Sequence, residues 1–367
     1  MKDKIIIGKH TLESLTTGMY SDAKVIFREY IQNSVDSINE AIKDNILEKK
    51  NAKISIEVNE KNKKIEIKDN GRGISSDIAV KTLLDIGNST KNPKKSIGFR
   101  GIGRLAGLGY CDKLTFITSY NGESTKTKVT FNAKELEELL IPGKYQNYDL
   151  LQVIKEVTNY EIDSEAKDQH YFYVILENVK NYDNILDYNN VMNFLAQVAP
   201  VPFNNREFSW GKKIKHNFNK EDLYLEEYNI TLSDGVKEEK IYKFISDIFR
   251  SDRRKKIEDS IKDVKIEFIK DKDNKIIAGM WYTLSNFYGT IVDRNKKGIR
   301  LRKGNIQIGN RFTLSEVFKE DRFNGWFQGE VHVFDENIIP NARRDNFEKN
   351  YNYDYLINKL QDIGNEL

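Results

Sequence analysis

The sequence predicts an α+β protein with at least two domains, and three observations support this. The first half of the chain alternates between helical periodicity and paired strands, which is typical of a sheet covered by helices. Its 367 residues favour two domains and allow three, since a domain usually has about 100–200 residues. A predicted helix ends at Ala199-Pro200-Val201-Pro202, and proline does not continue a helix. We therefore expect domains over 1–190 and 200–350 and a helical tail over 351–367.

Several elements of the first half can be predicted from periodicity and turn residues. The helix that opens this part has Ser21 or Asp22 as its expected N-cap. Glu60-Lys61-Asn62 separates two alternating strands and predicts a hairpin. In order, the predicted elements are a helix over 21–42, strands over 53–58 and 64–68, a helix over 76–85, a glycine-rich stretch to 109, and strands over 113–119, 125–132 and 171–176.

Composition excludes several classes of protein. Charged residues make up 31% of the chain and hydrophobic residues 39%, which indicates a globular protein with real cores. No apolar run approaches the ~18 residues of a membrane helix, and the N-terminus is unlike a signal peptide, so we expect a cytoplasmic protein. A single Cys111 excludes an internal disulfide and, with four histidines, argues against a zinc site. The net charge of +3 argues neither for nor against nucleic acid as a partner.

The first predicted helix carries the first candidate site. At ~100° per residue, Glu29, Asn33 and Asp36 lie within about 60° of one another. The opposite face is apolar and is expected to pack on the core through Phe27, Ile31, Val35 and Ile38. A solvated polar face is the plain interpretation. A carboxylate one turn before an amide is also what a water-activating base beside a metal ligand requires.

A second motif follows the hairpin, where a strand ends in Asp69-Asn70-Gly71-Arg72-Gly73. Glycines spaced by one residue permit a tight turn and the close approach of a flat ligand. Asp-Asn-Gly is also a common turn sequence, so this motif alone has a structural explanation.

The third motif is a glycine loop before a helical segment, with glycines at Gly98, Gly101 and Gly103. Free N–H groups of such a loop can hold phosphates at a helix N-terminus, and Arg100 and Arg104 would add positive charge. It is neither a P-loop nor the dinucleotide fingerprint, because no Gly-Lys-Ser/Thr follows and the glycine spacing is reversed. A purely structural loop is the alternative.

Together and in this order, the three motifs resemble those of the gyrase, heat-shock chaperone, histidine kinase and MutL (GHKL) ATPases. The sequence from Tyr20 to Ile38 most resembles that of the ninety-kilodalton heat-shock chaperones. Gly87-Asn88-Ser89-Thr90-Lys91 is similar to the entrance of the family's lid. The resemblance covers residues 10–120. It implies a Bergerat-type α/β sandwich that binds ATP, followed by a second α/β domain of the middle or transducer type.

The resemblance also implies roles for individual residues. Glu29 would orient and deprotonate the attacking water, Asn33 would ligate Mg²⁺, and Asp69 would accept a hydrogen bond from the adenine amino group. The base pocket would be lined by Gly71, Gly73 and Ile74. The lid over the phosphates would be formed by Lys91, Gly98, Gly101 and Gly103. The family usually has Gly-Thr at a late strand, where this chain has Asp168-Gln169-His170-Tyr171, so no residue is assigned there.

Two stretches of the second half carry charge. Residues 212–243 are highly charged and predict a surface loop or a hairpin between domains. Residues 298–308 alternate basic and apolar side chains, which suggests binding of nucleic acid or phosphate; a solvent-facing edge strand is the alternative. Further strands are predicted over 264–269 and 276–284.

Residues 327–347 resemble the middle domain of the same chaperones, where a strand ends in a turn bearing an arginine. This match makes Arg344 the candidate arginine finger for the γ-phosphate, with Arg343 as its close competitor. Such residues can be worth ~10³–10⁵ in rate. The structural alternative is an arginine paired with Asp345 or Glu348 in a helix cap.

The resemblance implies Mg²⁺-dependent ATP hydrolysis that drives a conformational switch with lid closure and homodimerisation. The switch would act on a protein client or another macromolecule, as chaperones do. The alternative is a DNA-acting clamp of MutL or gyrase type in genome maintenance or defence, with a second-domain lysine from Lys296, Lys297 or Lys303. A protein histidine kinase is disfavoured, since no long helical hairpin carries an acceptor histidine. The presence of Glu29 disfavours a catalytically inactive nucleotide-binding module. Because the chaperones carry a further dimerisation domain, the chain is either a compact relative or a fragment.

Overall fold

A computed structural model describes residues 7–15, 22–88, 101–252, 254 and 257–367. The chain divides into two compact units. The first consists of Met1–Phe194 and Tyr228–Lys240, and the second of Leu195–Glu227 and Ile241–Leu367. Among the described residues, no helix is long and apolar enough to cross a membrane.

The first unit is a mixed α/β structure. Its helices are α1 (His10–Leu15), α2 (Val25–Lys43), α3 (Ser76–Leu84), α4 (Ala133–Leu139) and α5 (Leu150–Val157), followed by α6 (Tyr188–Val198), in which the chain passes to the second unit. Its strands are β1 (Lys53–Asn59), β2 (Lys64–Asp69), β3 (Lys113–Ser119), β4 (Thr125–Asn132), β5 (Thr158–Ser164), β6 (Tyr171–Glu177), β7 (Asn229–Ser233) and β8 (Glu238–Lys240). A short 3-10 helix, Gly103–Gly109, follows the glycine loop.

The eight strands form one sheet in the order β5-β4-β3-β6-β2-β1-β7-β8. All neighbours are antiparallel except β1 and β7, which are parallel, with Ile54 opposite Ile230. The prediction of a surface loop or a hairpin over 212–243 is wrong for its first part, because residues 211–220 form a helix, whereas its second half does contain a hairpin. Ile230 and Leu232 alternate with less buried residues and extend the apolar face of the first sheet, so β7 and β8 form a hairpin at its edge.

Helix α2 packs on the core as its periodicity predicts. Phe27, Ile31, Val35 and Ile38 are all almost completely buried. The helix begins at Val25 with Lys24 at its N-cap, so the prediction of Asp22 as the N-cap is wrong; the Asp22 Oδ1 accepts a hydrogen bond from the Lys24 N–H at 2.9 Å in the turn before the helix. Of the two expected caps, Ser21 lies outside the described residues.

The second unit contains a five-stranded sheet, a two-stranded sheet and two more helices. The elements are α7 (Gly211–Lys220), β9 (Ile248–Ser251), β10 (Ile257–Ser260), β11 (Asp263–Lys270), β12 (Ile276–Leu284), β13 (Gly298–Lys303), β14 (Ile306–Ile308), β15 (Gln328–Val333) and α8 (Tyr351–Glu366). The larger sheet has the order β11-β12-β15-β13-β14, and β9 pairs with β10. Strand β13 lies inside this sheet, so the prediction of a solvent-facing edge strand over 298–308 is wrong for its first half.

The two faces of the five-stranded sheet differ in chemistry. One face is apolar and is covered by α8 through Tyr353, Leu356 and Leu360, all buried. On the other side an aromatic cluster around Trp281 lies beside buried charged side chains from β13 and β15. The C-terminal helix therefore packs into the core of the second unit.

Candidate functional site

The candidate base Glu29 lies in the interior of the first unit, on α2. Its side chain is only 5% exposed, and Asp36 on the same face is only 6% exposed, so the interpretation of a solvated polar face is wrong for both. A Cβ added to Gly103 would lie 2.1 Å from the Glu29 Oε2, which means that the backbone of the glycine segment rests directly on this carboxylate. The first and third motifs, about seventy residues apart in sequence, thus meet in space.

The hydroxyl group of Tyr30 fixes the 3-10 helix against α2. It donates a hydrogen bond to the Arg104 carbonyl at 3.0 Å and accepts one from the Gly107 N–H at 3.1 Å. A Cβ at Gly107 would lie 2.5 Å from this hydroxyl, so the close approach requires glycine. Tyr30 and Gly107 were not singled out from the sequence.

The Arg104 side chain has a structural role here. Its guanidinium donates to the carbonyls of Leu83 and Asp85 at the C-terminal end of α3, where the helix dipole favours a cation. Burial lowers the Arg104 pKa to about 10. The positive charge expected beside the phosphates is therefore directed to α3 at this position, and Arg100 lies outside the described residues.

Asn33 lies one turn after Glu29 and is half-buried. Its side chain makes no hydrogen bond to the described residues, which leaves the amide oxygen available to a cation. Mg²⁺ is usually held by one or two protein ligands together with phosphates and waters, so an amide in this position fits the ion. No group of three or more His, Cys, Asp or Glu that could hold a metal occurs in the described ranges.

Two further polar side chains adjoin Glu29 on α2. Arg28 brings its Nε to 4.0 Å from the Glu29 Oε1, which places a positive charge beside the carboxylate. Gln32 is completely buried and lacks a hydrogen-bond partner for either amide atom. Neither residue was assigned a role from the sequence, although the adjacent Arg-Glu pair could have indicated the role of Arg28.

Asp69 ends β2 as a buried carboxylate that is 2% exposed. The Gly71 N–H donates to its Oδ1 at 2.9 Å, so the turn after the strand orients the carboxylate. In the sheet register Asp69 lies between Ile54 and Phe172. The residue opposite it on β6 is thus an aromatic, Phe172.

The two glycines after Asp69 pack against the protein's own backbone. A Cβ at Gly71 would lie 2.3 Å from the Ser37 Oγ, and one at Gly73 would lie 1.9 Å from the Ser119 carbonyl oxygen. Gly73 also has φ +70°, a conformation that favours glycine. The close approach that the sequence suggested for a ligand is therefore made, at both positions, to α2 and to the end of β3.

The loop after Gly73 is held by a threonine that sequence reasoning missed. The Thr118 Oγ1 accepts a hydrogen bond from the Ile74 N–H at 2.8 Å and donates to the Tyr171 carbonyl at 3.1 Å. The His170 Nδ1 donates to the Gly71 carbonyl at 2.8 Å. Strand β3 also contains the hydroxyl side chains of Thr115 and Ser119, so the local sequence did not distinguish Thr118.

The glycine loop is described only in part. Lys91 and Gly98 lie outside the described residues, so the predictions for them are not tested. Gly101 has φ +71°, which fits a tight turn before the 3-10 helix. Gly103 begins that helix.

The two candidate arginine fingers differ in exposure. Arg344 is 5% exposed and has φ +55° in a turn where its N–H donates to the Asn341 carbonyl at 3.1 Å. Its own carbonyl accepts from the Gly309 N–H at 2.8 Å. Arg343, the competitor, is exposed. The assignment of a finger to Arg344 stays a prediction.

Residues 20–163 match the family model described as histidine kinase-, DNA gyrase B-, and HSP90-like ATPase. The matched segment contains Glu29, Asn33, Asp69 and the glycine segment that contacts Glu29. It supports a GHKL-type ATP-binding domain in the first part of the chain and, with it, ATP binding and hydrolysis. A search of curated proteins finds no match.

Proposed function

We propose that this protein hydrolyses ATP with Mg²⁺ in its first unit and uses the nucleotide to switch conformation. One observation carries the proposal: the Glu29 carboxylate is buried directly beneath the Gly103 backbone. Because a glycine segment of this kind suits phosphates, a buried carboxylate in contact with it is well situated to act on a water next to the terminal phosphate.

In the proposed reaction Glu29 accepts the proton of the water that attacks the γ-phosphorus, while the bond to the β–γ bridging oxygen breaks. Arg28, with its Nε 4.0 Å from the Glu29 Oε1, places a positive charge beside the carboxylate. Asn33 would hold Mg²⁺, and the ion, when bound with the nucleotide, neutralises charge on the phosphate oxygens.

Adenine would be recognised by Asp69. A carboxylate accepts hydrogen bonds only, so it selects the adenine amino group, and its burial strengthens the interaction by excluding water. The Gly71 N–H donates to Oδ1 and orients the carboxylate, and we propose that Oδ2 faces the base.

The catalytic role of Glu29 is tested with Glu29→Ala. We expect ATP to bind with nearly unchanged affinity while phosphate release falls to background. Glu60→Ala is the control, because Glu60 lies exposed in the β1–β2 turn. Wild-type turnover in Glu29→Ala would remove the proposed base.

The role of Asp69 is tested with Asp69→Asn, which keeps an acceptor oxygen for the Gly71 N–H and replaces the other oxygen with an amide donor. Two donors would then face each other across the base contact, so ATP binding should be lost while the fold is retained. Calorimetry with ATP and circular dichroism give the two readouts. Unchanged ATP affinity in a folded variant would contradict the adenine contact.

We further propose that ATP binding drives homodimerisation and that the switch acts on a protein client, as in chaperones. The resemblance to heat-shock chaperones supports this choice, and a DNA-acting clamp is the second candidate. ATPase turnover should rise with unfolded protein and stay unchanged with DNA or RNA, and light scattering should report a doubled mass with a non-hydrolysable ATP analogue. Stimulation by DNA alone would favour the clamp.

A further inference from the structure

The five-stranded sheet of the second unit has a polar face. Strand β13 alternates apolar and basic residues, and Ile299 and Leu301 point into the apolar core. Arg300 and Arg302 lie on the opposite face, and only 7% and 2% of them is exposed. Because β13 is paired on both sides, these guanidinium groups are inside the protein and not at a solvated edge.

One carboxylate, that of Glu330, contacts two of the buried cations. Both the Lys243 Nζ and the Arg302 Nε contact the Glu330 Oε1, at 2.7 Å and 2.5 Å. The Glu330 Oε2 accepts hydrogen bonds from His332 at 3.0 Å and from Trp281 at 3.3 Å. Burial lowers the His332 pKa to about 4, so this imidazole is neutral at pH 7 and adds no charge. Glu330 is thus already shared between two positive charges.

Arg300 is a further cation that lies opposite Glu330 in the β13–β15 register, but the Glu330 carboxylate contacts Lys243 and Arg302. Its Nη2 reaches only backbone carbonyls, those of Arg294 at 3.4 Å and Asn295 at 3.2 Å. No ion pair of Arg300 within 4.0 Å occurs in the described ranges. A buried guanidinium without a counter-charge is unfavourable, and a bound anion would relieve this cost.

A cavity of about 20 Å³ opens at this place. Its wall includes Lys243, Lys296, Arg300 and Arg302, and Glu330 is the one acidic residue among the described residues that line it. Such a volume accommodates about one water-sized group, which is the size of a single oxygen of an anion. The Lys296 Nζ donates to the Ser246 Oγ at 2.6 Å, which holds a fourth cation at the cavity.

We propose that this cavity, the Arg300 pocket, binds a terminal oxygen of a phosphate-class anion through residues other than those proposed to bind ATP. The guanidinium has a fixed fork of donors that matches phosphate, and Arg300 has donors that the described residues do not use. The small volume admits the end of the anion and excludes a nucleoside. The ligand is either inorganic phosphate or the terminal phosphate of a larger molecule that stays outside.

The test uses the full chain with Asp69→Asn, so that the proposed adenine contact is absent and hydrolysis is not the readout. Calorimetry with inorganic phosphate should show one saturable site, and phosphate should raise the unfolding temperature. Adding Arg300→Gln should weaken phosphate binding at least tenfold. Arg250→Gln is the matched control, because Arg250 is exposed on β9 of the same unit and should leave the affinity unchanged.

Arg300→Lys is a second variant for the case in which Arg300→Gln does not fold. Lysine keeps the positive charge but lacks the forked donors of the guanidinium. We therefore expect a phosphate affinity between those of the parent and Arg300→Gln, with an unchanged circular dichroism spectrum. Equal phosphate affinity in the parent and both Arg300 variants would overturn the proposal, as would the absence of saturable binding. If phosphate binds only to the first unit, its affinity will also be equal in the parent and both Arg300 variants. That result would overturn the Arg300 pocket and would not affect the ATPase proposal.

Competition separates the two sources of phosphate. A 5′-phosphorylated oligonucleotide that displaces phosphate, while its 5′-hydroxyl counterpart does not, would support a terminal phosphate as the ligand. Binding of phosphate with no competition from either would support inorganic phosphate. Equal competition by both would refute a pocket for a terminal group, since internal phosphodiesters would then suffice.

Discussion

Gly103→Ala is a steric test of the contact between the glycine segment and Glu29. A Cβ at Gly103 would lie 2.1 Å from the Glu29 Oε2 and 3.0 Å from its Cδ. Few real contacts of a Cβ are closer than 3.4 Å, so going from 2.1 to 3.4 Å requires a shift of about 1.3 Å in the carboxylate or the loop. The φ of Gly103 is outside the left-handed range, so alanine adds no backbone strain.

The expected effect is on turnover and not on binding. A displacement of about 1 Å in a catalytic group can cost ~10²-fold in rate, which corresponds to about 2.7 kcal/mol of barrier. We therefore expect kcat for ATP hydrolysis to fall roughly 10²-fold. The Kd for ATP should change little, because no atom of Asp69 is moved.

Phosphate release at saturating ATP gives kcat, and calorimetry with a non-hydrolysable ATP analogue gives Kd. Gly8→Ala is the matched control, since a Cβ there meets no atom within 4 Å. Turnover of Gly103→Ala close to wild type would refute the reasoning. A large loss of ATP affinity would instead mean that this segment holds the nucleotide and does not position Glu29.

Three further predictions test other parts of the molecule. Arg344→Ala should lower turnover with unchanged ATP affinity; if kinetics show the loss only in Arg343→Ala, the exposed arginine is the finger. Burial lowers the Lys243 pKa to about 7 from 10.5, so between these values the folded protein holds fewer protons than the unfolded chain. The free energy of unfolding should therefore rise from pH 7 to 10, and urea titrations should show a smaller rise in Lys243→Met. Gly73→Ala should destabilise by about 1–3 kcal/mol more than Gly122→Ala, because both have positive φ but only Gly73 has a carbonyl 1.9 Å from the new Cβ; urea unfolding measures the difference.

Much of the first unit could be predicted from sequence because its patterns are local. The strands over 113–119 and 125–132 have the predicted bounds, and β1 and β2 begin at the predicted residues and are each one residue longer at the C-terminal end. Alternation of period two and the apolar stripe of α2 depend only on neighbouring residues, so they are visible without the fold. Residues 133–164, which form α4, α5 and β5, were not predicted, although the buried Leu150, Val153, Ile154 and Val157 of α5 have helical spacing.

The residues of the candidate site could be predicted from the sequence, but the contacts between them could not. Glu29, Asn33 and Asp69 were singled out because their residue types and spacing suit nucleotide chemistry. The burial of Glu29 under Gly103 and the use of Gly71 and Gly73 for close backbone packing depend on contacts between distant segments. Local sequence contains no information on which segment will cover a helix face.

By itself, the sequence determined the α+β class, the amphipathic α2 and the order of the three motifs, since these follow from local periodicity and residue type. Only the tertiary structure decided that β7 joins the first sheet and that β13 lies inside the second. The alternation of arginine with apolar residues suits an edge strand equally well. It becomes a buried strand because Glu330 on the neighbouring β15 forms an ion pair with Arg302, and a carboxylate brought in from about thirty residues away makes the burial of this cation possible.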